Sequence, residues 1–146
     1  MPAEIREVSC KKDLRHFIYL PEKIHKNHSN WVHPLYIDEW VFFNKKKNKS
    51  FALCDTVLAL AWENDKPVGR IMGIINHRYN NTHNEQNARF CFLECKEDIS
   101  LAASLFSFVE EWAKRKGMTK LVGPLAFSDK DPQGVLSAGF QEPALI

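Results

Sequence analysis

Apolar and polar residues alternate over "EIREVS", residues 4–9, and this pattern predicts a short first strand. Ser9 then offers a helix cap. Leu14, Phe17, Ile18, Pro21 and Ile24 follow at helical spacing, with Pro21 suited to a kink or to the first turn of a second helix. The predicted opening is strand, helix, helix. In "NWVHPLYIDEWVFFNKKKNKSF", residues 30–51, large aromatics mix with a lysine cluster; His33-Pro34 precedes a helical turn carrying Leu35, Ile37 and Trp40. This stretch reads as a cap over an apolar surface.

The strongest pattern is "DTVLALAWENDKPVGRIMGIINHRY", which predicts two strands joined by a polar turn at Glu63 to Lys66. Asn80 to Asn87 has no apolar anchor and reads as a polar loop. "ARFCFLEC" is nearly all apolar, as a central strand covered on both faces would be. From Asp98, the residues Leu101, Leu105, Phe108, Val109 and Trp112 make one helical stripe. Lys114, Arg115 and Lys116 complement the dipole of that helix, and Gly117 ends it. "TKLVGP" is a strand ending at Gly123-Pro124, so strand, helix and strand form a right-handed crossover with a parallel pair. The remainder carries turn signals, a short helix-like "GVLSAGF" and a final apolar "PALI" that stops abruptly.

Composition narrows the class. With 146 residues, 45% hydrophobic and 26% charged, the chain fits one globular domain. A formal charge of +2 is too mild to imply a nucleic-acid partner. Cys10, Cys54, Cys91 and Cys95 follow an N-terminus that is charged where a leader would be apolar, so a reduced, cytoplasmic protein is expected. On a strand, Cys91 and Cys95 stand roughly 13 Å apart, too far to bridge. No apolar run approaches the ~20 residues of a membrane span, and no membrane partner is expected.

A hairpin feeding a strand, then a long helix and a parallel strand, resembles the GNAT superfamily of acyl-CoA N-acyltransferases. "NWVHPL", "FFNKKKNKSF", "PVGRIMGIINHRYNNTHNE", "FLECKED", "VEEWAKRKGM" and "GPLAFSDKDPQGVLSAGFQEP" together resemble a bacterial group of GNAT-like proteins of unassigned substrate. The resemblance covers residues 1 to about 143, and in that group the chain continues further. It implies an α/β (α+β) fold: a mixed, mostly antiparallel sheet with a central splayed strand pair and flanking helices. Residues 1–146 would be a single such domain, lacking or rearranging the C-terminal strands. The implied donor is acetyl-CoA or another acyl-CoA, the implied acceptor a small-molecule or peptide amine, and a homodimer is compatible with this class.

The resemblance also assigns roles to residues. Backbone groups around Leu93 and Cys95 would hold the pantetheine arm, and Glu94 would be the general base. The superfamily's turn, R/Q-x-x-G-x-G/A, falls on Glu97 to Ala102, where only Ala102 matches. Two readings of this turn stand. In one, the Ser100 hydroxyl and the amides of Ser100, Leu101, Ala102 and Ala103 hold a diphosphate, with Lys96 as the nearest cation. In the other, Glu97 and Asp98 merely start a helix. The two readings lead to two functions, an N-acyltransferase or a non-catalytic GNAT-like binding module whose cofactor turn has decayed. The superfamily's usual acid, a tyrosine after the fifth strand, has no counterpart; either water or a residue such as Ser128 takes its place, or the competent site is absent or incomplete.

Other candidates carry a plain alternative. Lys45, Lys46, Lys47 and Lys49 suit a 3'-phosphate or an acidic partner, but such runs are more often solvated loops. His25 and His28 have a metal-like spacing, with His33 nearby, but no cysteine or carboxylate cluster accompanies them; they read as surface histidines, so no metal is assigned. Asn76, His77, Asn80 and His83 suit an acceptor cleft or a hydrated loop. Trp62 and Trp112 read as core; Trp31 and Trp40 lie in the aromatic cap and suit a cover over an acceptor site, but such rings are more often core or edge packing.

Overall fold

The computed structural model describes residues 3–134; the helix-like segment beyond its first residue, Gly134, and "PALI" lie in 135–146, outside the described residues. Strand β1 (Glu4–Glu7) leads into helix α1 (Lys11–Ile24). Short helices α2 (Tyr36–Phe42) and α3 (Ser50–Leu53) precede the hairpin of β2 (Cys54–Glu63) and β3 (Lys66–Asn76). Helix α4 (His77–His83), strand β4 (Asn87–Cys95), helix α5 (Ile99–Arg115) and strand β5 (Lys120–Val122) follow. The sheet runs β1-β2-β3-β4-β5, with every pair antiparallel except the parallel β4–β5.

The hairpin turn is Asn64 and Asp65, both at positive φ (50° and 62°). Asn and Asp tolerate that conformation, and two in succession give the mirror-image turn whose twist matches the flanking strands. The nearly continuous apolar runs of β2 and β3 are explained by two covers. Val57, Ala59, Ala61, Ile71 and Ile75 face Leu101, Leu105, Val109 and Trp112 of α5. Their neighbours Leu58, Leu60, Met72 and Ile74 join Phe17, Ile18 and Leu20 of α1 with Phe43 and Phe51. Period-two alternation is present, but both faces are buried, so hydropathy conceals it.

Five local expectations need correction. The N-cap of α1 is Cys10, with no side-chain hydrogen bond, rather than Ser9. Pro21 lies inside one continuous helix and starts no second one. The first half of the predicted loop, Asn80 to His83, belongs to α4, because the Asn76 side chain accepts from the Tyr79 N–H and Asn84 closes the helix in the left-handed region (φ 52°). The tail "HRY" of the second predicted strand belongs to the same helix, since β3 stops at Asn76. The centre of the sheet is β3; β4 stands one strand further out.

Candidate active site

The site begins where β4 and β5 part. Strand β5 pairs only with Asn87, Ala88 and Arg89; beyond it, Leu125 N–H donates to the Phe90 carbonyl (3.0 Å). Buried Arg89 ties the fork from the other side, donating from Nη1 to the carbonyls of Ala126 (2.9 Å) and Phe127 (3.2 Å). Gly123 is required there, since a Cβ would press on the Phe90 carbonyl oxygen. From Cys91 to Cys95, β4 has no ladder partner on that edge among the described residues. The expected splayed pair is thus present.

Along this open stretch, Phe92 adopts φ 54° and the register with β3 shifts between Arg70 and Met72. A bulky residue in the left-handed region costs about 1–3 kcal/mol and persists only where neighbours hold it. Arg70, buried, is the holder. Its Nε donates to the Phe92 carbonyl (3.1 Å), and its Nη1 donates to the Phe17 carbonyl (2.7 Å). Phe17 lies four residues before Pro21, which has no N–H to give, so the guanidinium fills the bond that α1 lacks. Desolvation pulls the Arg70 pKa down to about 10, and it stays charged at neutral pH.

Arg70 is paired across the ladder with Glu94. The half-buried Glu94 carboxylate accepts from His25 Nε2 at 2.9 Å, and the His25 ring stacks on Trp31 at 5.5 Å. A carboxylate only accepts, so the imidazole carries its hydrogen on Nε2. His25 lines a cleft of ≈ 1000 Å³ together with Ile24, Val68, Cys95, Lys96, Asp98 and Ile99. Ile99, 89% exposed, stands at this cleft without apolar cover. Sequence reasoning did not pair His25 with Glu94. They are 69 residues apart, and no local pattern links them.

The start of α5 is occupied from within. The Asp98 carboxylate accepts from the N–H of Ser100 (3.0 Å) and Leu101 (3.2 Å) and from the Ser100 hydroxyl (2.7 Å), while Ala102 N–H bonds the Asp98 carbonyl (3.1 Å). These bonds, the Ser100 hydroxyl first, hold the Asp98 carboxyl below its usual range. Lys96 reaches Glu63 at 2.6 Å and is raised chiefly by that hydrogen bond.

The remaining candidates lie elsewhere. Asn76, His77, Asn80 and His83 belong to the far end of β3 and to α4, about 20 Å from Arg70 at strand spacing. There they fasten α4: Asn80 bonds both the N–H and the carbonyl of Asn87, His77 meets Asp55 at 3.1 Å, and His83 stacks on Tyr79. Ser128 sits in a turn with Asp131 and lines a separate groove with Phe42 and Asn48. His33 Nδ1 approaches the Pro34 carbonyl, and among the described residues no three His, Cys, Asp or Glu gather as metal ligands. No helix among the described residues is long and apolar enough to cross a membrane.

No protein-family model matches the chain. Over 140 residues it is 28% identical to a protein of Caulobacter vibrioides named bacterial ceramide synthase, covering 95% of this chain and 36% of the relative. It is also 28% identical to protein YghO of Escherichia coli, covering 95% of this chain and 35% of that one. The chain thus spans about a third of the length of these curated relatives. Among solved structures it superposes on the aminoglycoside acetyltransferase AAC(6')-Iy bound to a CoA bisubstrate analogue, with TM-score 0.59, 16% identity and 89% and 84% of the two chains covered. The PaiA N-acetyltransferase of Thermoplasma acidophilum, solved with coenzyme A, gives 0.53 and 20%, with 85% and 81% covered. The splayed strands, the intervening helix and these superpositions agree: the chain has the fold of the GNAT acetyltransferases.

Proposed function

We propose that residues 1–146 act as one acyl-CoA-dependent N-acyltransferase domain. The observation that carries this reading is the open edge of β4 ending at the Glu94–His25 pair beside the cleft. Backbone groups at Leu93 and Cys95 take the pantetheine arm as a missing strand would, and the amine enters beside Glu94. The amine nitrogen attacks the thioester carbonyl carbon, Glu94 takes the proton from nitrogen, the C–S bond breaks, and the leaving thiolate takes a proton to become free coenzyme A. The diphosphate lies at the amides of Ser100, Leu101, Ala102 and Ala103 with Lys96 near, which requires Asp98 and Glu63 to give up their present contacts. A ceramide is an N-acylated long-chain amino alcohol, so the Caulobacter relative puts long-chain amino alcohols first among the acceptors to try.

The test is calorimetric titration with acetyl-CoA and free coenzyme A, followed by thiol release with an acceptor panel. Micromolar binding is expected, and Glu94→Gln lowers turnover by about 10²–10⁴-fold while leaving coenzyme A affinity intact. The absence of both heat and thermal shift at millimolar ligand would overturn the enzyme reading. A second reading, a binding module that no longer takes coenzyme A, is favoured by one observation, the Asp98 carboxylate seated on the α5 amides.

A further inference from the structure

On the α1–α2 side of the molecule, a groove of ≈ 790 Å³ is lined by Lys11, Arg15, Lys45, Lys46 and Lys47 and contains no carboxylate. These five cations sit together in a chain whose formal charge is only +2. Among the described residues none of them forms a salt bridge. The carboxylates of Asp38 and Asp131 line a neighbouring groove that meets this one at Val41 and Lys47. Lys11 and Arg15 stand over the Trp40 ring at 6.0 and 5.6 Å, and that ring is fixed by its Nε1–H bond to the Tyr19 hydroxyl (3.1 Å).

Between the cations the groove is apolar and uncovered. Ile37 is 76% exposed and Val41 43% exposed, one helical turn apart on α2. A face that combines free cations with protruding aliphatics suits a partner that is anionic at its surface and apolar just beneath. A second copy of this chain offers the same positive groove and would be repelled.

We propose that the α1–α2 face is a peripheral docking site for an anionic lipid surface. Ile37 and Val41 enter the headgroup boundary, and Lys11, Arg15, Lys45, Lys46 and Lys47 lie over lipid phosphates. The chain would then rest on a bilayer without crossing it. This is independent of coenzyme A binding.

The experiment is vesicle flotation of the purified protein with phosphatidylcholine liposomes, with and without 30 mol% phosphatidylglycerol as the anionic probe, a composition of about the kind such polybasic faces bind. Binding only to the anionic vesicles is expected. The triple change Lys45→Ala, Lys46→Ala, Lys47→Ala weakens it about 100-fold, as three surface cations should. Ile37→Ser with Val41→Ser weakens it as well, while circular dichroism stays native for all variants. No binding to anionic vesicles, or binding that the triple change leaves intact, overturns the proposal. Binding that the serine pair leaves intact also overturns it, because adsorption by charge alone is then sufficient. Capture of a soluble acidic peptide in preference to vesicles would assign the face to a protein.

Discussion

Asp98 shows how one carboxylate decides between two readings of a turn. It is the α5 N-cap and also occupies the donors that a diphosphate would use. Because its folded pKa is depressed, its contribution to stability is present above the unfolded value of 3.8 and is lost as pH falls through the lower folded value. Asp98→Ala should therefore melt at a lower temperature than the native protein at pH 7, with the gap closing below pH 3.8 as thermal scans descend. If coenzyme A binds at these amides, the same variant binds it more tightly in calorimetry; unchanged affinity would put the diphosphate elsewhere. The acidic start of α5 was legible in "CKEDIS", as was the place of Glu94 at a strand end. The His25 partner was not, since the contact depends on how α1 lies across the sheet.

Among the elements, those whose own sequence decides them were legible. The β2–β3 hairpin has two polar turn residues between apolar runs, and α5 has a full stripe with a cap and a glycine stop. Helices α3 and α4 were not legible, because each is short and α4 is held by side chains of Asn76 and Asn80 rather than by an apolar face. The continuity of α1 through Pro21 was hidden for a similar reason, as the donor that repairs it comes from β3. Arg70→Met should leave the Phe17 and Phe92 carbonyls unsatisfied, at about 1–3 kcal/mol each, a large share of the roughly 5–15 kcal/mol that holds a domain. Adding Pro21→Ala restores a helical N–H for Phe17 and should recover on the order of 1 kcal/mol in urea unfolding. Equal stability of the single and double variants would show that Arg70 acts by its charge and not as a surrogate backbone donor.

At the scale of the whole molecule, one sheet is covered by α1 on one face and by α5 on the other, and opened at β4–β5. The order of elements made that architecture legible, and the opening follows from β5 being three residues long. Hydrogen exchange should rank the molecule accordingly: slow amides in β2 and β3, fast ones on the open edge of Cys91 to Cys95. Saturating acetyl-CoA should slow that edge selectively, and uniform slowing or none would place the ligand elsewhere.

An opening edged by main-chain N–H and C=O groups is spelled alike by almost any side chains. Residues there can differ while the backbone shape is kept, so a chain with 16% identity to an aminoglycoside acetyltransferase can share its fold, with the parting of β4 and β5. What two such chains share is a shape of backbone, and likeness in this fold is better sought in the parting of two strands than in any string of letters.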